Sequence, residues 1–386
     1  MSLTVVQSAA ELAQHLAAWE DLAANTCESN VFYEPWMLLP ALEAFGADAQ
    51  LRFVLVYTTG PSNEGSKPVL CGFFPLELHG RYKGLPIKYT SLWKYNKYCV
   101  LCTPLIRPEF ATDCLVTFFN WLAQAHDTGA MLKLEFVSGE GPFNQLLIDY
   151  FNESGNLLAV EARSNRALLQ RCGDGLAAAE SYINTALSGK RRKELRRQEK
   201  LLREQGRLEY LELTDSSEAE RWFEQFLQLE AQGWKGKEGS ALAANAAARE
   251  FFLQTVRAAF ARDQLMMLAL CLNGQPIAMK CNLLTGPGAF AFKIAFDENF
   301  AAYSPGVHLE LENIRRTHTA TNLAWMDSCA TAKHFMINRL WLERRALKTL
   351  LAATGKRGGN LLIAFTQLLL WLKRISLKAL PLSFIG

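Results

Sequence analysis

Apolar and polar positions along the chain change period several times. Residues 9–24 carry apolar side chains at helical spacing, and VFYEPWMLLPALEAFG predicts a second helix starting near Pro35, a residue suited to a first turn. LRFVLVYTT and VLCGFFPLEL flank the polar PSNEGSK at 61–67, which predicts two strands and a hairpin loop. LKLEFV from Leu132 is a strand, GPFNQLLIDYFNESG a helix ending at Gly155, and LLAVEAR a further strand. Ser181 to Gly206 predicts one long helix with a thin apolar seam of Leu187, Leu195 and Leu202, followed by helices over 217–232 and 241–262.

The second half then turns to strands. LMMLALCLNGQPIAMKCNLL is a hairpin signal, because Asn273-Gly274 can take the two positive φ values of a type I′ turn. A turn at Gly286-Pro287-Gly288 leads into AFAFKIAF. Strict alternation puts Phe290, Phe292, Ile294 and Phe296 on a core face, and Ala289, Ala291, Lys293 and Ala295 on a groove floor. Ser304-Pro305-Gly306 opens a helix, NLAWMDSC is a short strand, and His334 to Leu347 is a helix. The expected class is α/β with mixed sheets: one domain over 1–165, a second over 166–345 that includes the basic helix 181–206, and a basic, apolar helical tail over 346–386.

With 386 residues, 50% hydrophobic, the chain is long enough for two domains. No apolar run reaches the ~18 residues of a spanning helix, and MSLTVVQSAAELAQHLAAWEDL lacks a basic region followed by an apolar block, so a cytoplasmic protein is expected. The nine cysteines sit mostly in apolar segments and read as reduced core thiols; Cys99 and Cys102 form a lone CxxC without further metal ligands, and no metal is expected. A net charge of +3 hides segregation: 190–203 carries +6, 342–386 carries +7, and the remainder −10. That pattern suits local encounters with anions and excludes a generally nucleic-acid-coating protein.

Several blocks together resemble the double-GNAT acyltransferases, the Fem-like and cellulose-biosynthesis-type (BioF2-like) group. They are NVFYEPWMLLPAL with GFFPLEL, LSGKRRKELRRQEKLLREQG, LEAQGWKGKEGSAL, AFKIAFDENFAAYSPGVHLELENI and MDSCATAKHFMINRLW. The resemblance implies tandem GNAT-like domains and an acyl-coenzyme A co-substrate, acetyl-CoA in the first instance.

Chemistry at the Ser-Pro-Gly turn agrees with that implication. A helix N-terminus attracts phosphate, Pro305 lacks an N–H that would be unpartnered anyway, Ser304 can cap, and Gly306 lets a ligand approach the backbone. By resemblance Ser304, Pro305, Gly306 and Val307 hold the coenzyme's pyrophosphate, although the usual Gln/Arg-x-x-Gly-x-Gly/Ala signature is reduced to one glycine. Alone, the same turn is an ordinary helix start. Lys293 either meets an anion or developing negative charge above the alanines, or pairs with Asp297 or Asp327 under a closely packed helix. Asp327 and His334 are candidate proton acceptors or helix caps, and Tyr303 either donates to a departing thiolate or packs. Cys329 lacks a strained elbow and reads as a small apolar residue. In GWKGKEGSA, Trp234 and Lys235 suit an anionic or sugar-bearing acceptor, and the resemblance places the loop and Glu230 at the acceptor cleft; a solvated connection is the alternative.

The expected activity is acyl transfer to an amine or hydroxyl of a small-molecule or saccharide acceptor, of envelope, polysaccharide or amino-sugar type, in a ternary complex. Two other readings stand beside it: an aminoacyltransferase taking its group from aminoacyl-tRNA, with the +6 helix tracking RNA, and a non-catalytic, membrane-associated scaffold. Nucleic acid is expected only as tRNA in the former. The stretch 356–378 is apolar with Lys356, Arg357, Lys373, Arg374 and Lys378 around it, so it either lies on the inner face of a membrane or packs on the protein.

Overall fold

The computed structural model describes residues 1–59, 68–320 and 322–379, with side chains as far as 372. The loop PSNEGSK lies outside the described residues. The chain divides into two compact units, one of residues 1–35, 48–164 and 346–386, the other of 36–47 and 165–345.

The first unit opens with strand β1, Ser2–Val6, then helices α1, Ala9–Ala13, and α2, Leu16–Ala24. Ser8 starts α1 by accepting the Glu11 N–H on its side chain. Helix α3, Pro35–Phe45, falls almost wholly in the second unit. Strands β2, Leu51–Tyr57, β3, Leu70–His79, β4, Tyr89–Leu92, and β5, Leu105–Ile106, precede α4, Ala111–Gln124, and β6, Met131–Ser138. Helix α5, Pro142–Ser154, ends at Gly155, whose left-handed backbone (φ 67°) is cheap only for glycine. Strand β7, Leu158–Gln170, contributes 158–164 here and 165–170 to the second unit.

The second unit continues with α6, Gly175–Ala186, α7, Gly189–Glu204, β8, Leu208–Glu212, α8, Ala219–Gln232, the single turn α9, Trp234–Lys237, and α10, Ala246–Phe260. Then come β9, Leu265–Leu272, β10, Gln275–Thr285, β11, Gly288–Phe296, α11, Pro305–Thr319, β12, Trp325–Asp327, and α12, Ile337–Leu340. Strand β13, Glu343–Ala353, and helix α13, Gly359–Ala379, return the chain to the first unit. The first unit's strands run β1-β2-β3-β4-β6-β13-β7, with β5 on β3, and the second unit's run β7-β12-β11-β10-β9-β8.

The second unit's sheet is antiparallel from β8 to β11, and parallel between β11 and β12. Asn273 (φ 51°) and Gly274 (φ 78°) make the expected hairpin turn. One face of this sheet is covered by α6, α7 and α11, whose Ile183, Leu195, Leu309 and Ile314 share a core with Leu268, Leu270, Ala278 and Ala289. The other carries α8 and α10, with Phe251 of α10 edge-on to both Phe292 of β11 and Phe45 of α3.

Three expectations change. The long helix 181–206 is two helices, because Leu187 turns extended into the core and the Ser188 side chain takes the Arg191 N–H to start α7 afresh. The helix expected from His334 to Leu347 is only α12, and the tail begins as strand β13. Its pairing with β6, from Leu347↔Ser138 to Ala353↔Met131, overrides the helix propensity of its Ala, Leu and Lys. Finally, β11 does not alternate strictly: Lys293 pairs with Cys281 but Phe290 with Leu283, so three steps on β11 match two on β10. This bulge opposite Asn282 reverses the facing of the rest of the strand. Ile294 and Phe296, paired with Lys280 and Ala278, therefore point toward α11 together with Ala289, while Lys293 points away.

Candidate active site

Where β11 ends, the second unit has a cavity of about 370 Å³. Its walls come from the end of α8 (Leu229, Glu230), the loop after it (Gly233, Trp234, Lys235), the end of β11 (Ile294, Ala295, Phe296), Gly306 of α11, and His334, Phe335 and Met336. The apolar strand end makes a floor, and the polar groups gather on two sides.

Glu230 is 2% exposed and fully engaged: one carboxylate oxygen takes Lys235 Nζ at 2.8 Å and the other the Leu242 N–H at 2.8 Å. It thereby ties both ends of the 233–242 loop to α8. Lys235 Nζ also donates to the Ile294 carbonyl at 3.2 Å, which leaves one of its three protons for a ligand. Trp234, 49% exposed, stands beside this ammonium. His334 is half-buried, and burial lowers its pKa despite the opposing Glu310 carboxylate and so favours the neutral ring. Its Nδ1 accepts the Ile337 N–H at 3.4 Å, which puts the ring proton on Nε2.

A second cavity, of about 640 Å³, shares Phe335 and Met336 with the first and is lined also by Leu187, Ser188, Arg191, Val307 and Arg339. Gly306 and Val307, adjacent in the first turn of α11, thus each line one cavity. Ser304, in the left-handed region (φ 54°), makes no side-chain cap; its carbonyl instead accepts from the Val307 and His308 N–H groups. The cap expected of its hydroxyl is absent because αL backbone carries the side chain elsewhere. At Gly306 an added Cβ would sit 3.6 Å from Phe296, ordinary contact, so the glycine supplies room and relieves no strain.

Residues 189–335, which contribute to both cavities, match the family model described as "Acetyltransferase (GNAT) domain". Over that span, less than half of the chain, the sequence is similar to the GNAT domain family. Over most of its length the chain is also similar in fold to several solved structures. The crystal structure of FemX superposes with a TM-score of 0.58 at 8% identity, covering 92% of this chain and 97% of that one. A conserved protein from Bacteroides thetaiotaomicron gives 0.53 at 11% identity, with 87% and 96% covered. The C-terminal domain of a putative lysylphosphatidylglycerol synthetase from Agrobacterium fabrum gives 0.50 at 10%, with 88% and 92% covered. No curated protein sequence matches the chain.

The matched span brings Glu230, Trp234, Lys235, Gly306 and His334 to one cavity and Val307 to its neighbour. Other expected residues lie elsewhere. Lys293 is on the sheet face opposite α11, with its ammonium 5.7 Å from the Phe292 ring centre. Tyr303 packs on the core beneath α7 and α11, and Pro305 is buried. Asp327 is fully buried and lines neither cavity: Arg166 contacts it at 2.6 and 2.7 Å, Arg345 at 3.0 Å, and the Cys329 N–H at 2.9 Å. Burial alone would raise its pKa, but the two guanidiniums win and hold it below the ordinary value. Burial and then Asp327 push the Cys329 thiol far up. Arg191 and Arg339 are not singled out in the sequence, although Arg191 lies in the basic run 190–203 that suits anions and Arg339 in the block MDSCATAKHFMINRLW.

Asp327→Asn removes the carboxylate shared by the buried Arg166 and the part-buried Arg345 and is expected to cost about 3–5 kcal/mol in urea unfolding. Asp327's folded pKa lies below its ordinary 3.8. Its stabilisation is therefore complete above that value and disappears as pH falls through the lower, folded pKa. The asparagine variant should lack this segment of acid dependence. Unchanged stability with abolished turnover would return Asp327 to catalysis.

Proposed function

We propose that the protein transfers an acyl group from a coenzyme A thioester, acetyl-CoA in the first instance, to an amine or hydroxyl of an envelope, polysaccharide or amino-sugar acceptor. The observation that carries this reading is the first turn of α11, which opens on two adjoining cavities of different chemistry. Arg191 and Arg339, with the N-terminal turns of α7 and α11, suit the phosphates of the donor. The apolar floor of Ile294, Ala295 and Phe296 suits the pantetheine arm, and Trp234 with Lys235 a sugar-bearing acceptor.

In the proposed reaction the acceptor nitrogen or oxygen bonds to the acyl carbon, the carbon–sulfur bond breaks, and the acceptor's proton ends on the sulfur. The free proton of Lys235 and the Nε2–H of His334 are the donors available to the oxygen that gains charge on the way. Glu230 acts through Lys235, as its positioning residue. Neither Asp327 nor Lys293 enters this scheme.

Titration calorimetry of the full chain with coenzyme A, acetyl-CoA and total tRNA tests the reading. Binding of the first two, weakened by salt, is expected; binding of tRNA alone would favour the aminoacyl-tRNA reading. Gly306→Val fills the space above Phe296 and should weaken coenzyme A binding by about tenfold or more, while Tm moves by no more than a few degrees. Unchanged affinity would reduce the turn to a plain helix start. Lys235→Met, which keeps the chain length and removes the cation, is expected to lower kcat by roughly 100-fold with little effect on donor binding. Full turnover would remove Lys235 from the site.

A further inference from the structure

Helix α13 carries two apolar faces, and the fold covers one. Ile363 is buried and Leu362 half-buried against Tyr82, Met131, Leu351 and Ala353, and Thr366 is buried with its hydroxyl donating to the Leu362 carbonyl. On the opposite side Leu361, Phe365, Leu368 and Leu372 succeed one another at i, i+4, i+7 and i+11, with Leu361 75% exposed and the others about half. Leu369 and Trp371 widen the stripe. No charged residue interrupts the 15 positions from Gly358 to Leu372. An apolar surface of this length, left bare, marks a place where something docks.

The charges around it decide what docks. After Glu343 the sequence contains no acidic residue, and the stripe is preceded by Arg357 and followed by Lys373, Arg374 and Lys378. Lys356, counted as a flanking cation from sequence alone, is spent internally: its Nζ donates to the Ala125 and Thr128 carbonyls and the Thr128 hydroxyl. A second copy laid on the stripe would bring cations against cations. A surface that is apolar beneath and anionic above satisfies both features. The uncharged stretch spans about 22 Å as a helix, short of the ~30 Å of hydrocarbon. Among the described residues no helix is long and apolar enough to cross a membrane.

We propose that α13 lies in the plane of an anionic lipid interface, inserting Leu361, Phe365, Leu368 and Leu372 with Trp371 at headgroup depth. This proposal is independent of the reaction proposed above. The test is sedimentation of the full-length protein with vesicles of phosphatidylglycerol and phosphatidylcholine, against vesicles of phosphatidylcholine alone. Wild type should pellet with the anionic vesicles at low salt and far less with the neutral ones. Phe365→Ser with Leu368→Ser alters only exposed side chains; it should keep Tm and lower partitioning by about tenfold or more. Failure of the wild type to pellet, equal binding by the double variant, or equal binding to neutral vesicles would each overturn the proposal. So would a wild-type dimer that the double variant dissociates.

Discussion

The candidate site depends on how α11 is seated on β10 and β11, and a buried ion pair does the seating. Lys280 of β10 and Glu310 of α11 meet at 2.5 Å with almost no exposure. The same glutamate accepts Trp341 Nε1 at 3.0 Å and Asn313 Nδ2 at 2.9 Å, and Asn282 donates to Asn313 at 2.8 Å. Two charges taken out of water cost more than a hydrophobic pair would. What they supply is direction: only one rotation and one height of α11 brings Glu310 and Asn313 to Lys280, Trp341 and Asn282 together. That placement leaves Gly306 and Val307 at the end of the sheet.

Asn282 also sits opposite the bulge in β11. Without the extra residue, Ile294 and Phe296 would face α8 and α10, and the floor under the first turn of α11 would be lost. With it, β11 serves one core at Phe290 and Phe292 and lines the cavity at Ile294 and Phe296. Bulge, ion pair and helix start therefore act as one device. Glu230 is its counterpart on the other wall, holding the 233–242 loop so that Lys235 reaches the Ile294 carbonyl.

Local chemistry explains which parts were legible in the sequence. Asn273-Gly274, Gly155 after a helical run, and Pro305 at a first turn act within a few residues, and each element they mark is where the pattern puts it. Of the residues singled out with the resemblance, Glu230, Trp234, Lys235 and Gly306 line one cavity with His334, and Ser304 and Pro305 do not. Long-range pairing hid the rest. Nothing near Asp327 in sequence announces Arg166 or Arg345, which reach it only after β7, β12 and the start of β13 are in place. A bulge is invisible to a period-two reading, so Lys293 fell on the wrong face. In the tail, β6 recruits a stretch that favours helix by composition, and only the part beyond Gly358 keeps its helical character.

The central claim is that the first turns of α7 and α11, with the end of β11, form a coenzyme A site. Amide hydrogen exchange with and without saturating coenzyme A addresses it residue by residue, because a ligand that binds there slows exchange of the amides it covers. The account predicts new protection over 188–192, 294–297 and 305–309, with the first unit unaffected. Protection confined to other segments, or none at ligand concentrations well above Kd, would contradict it.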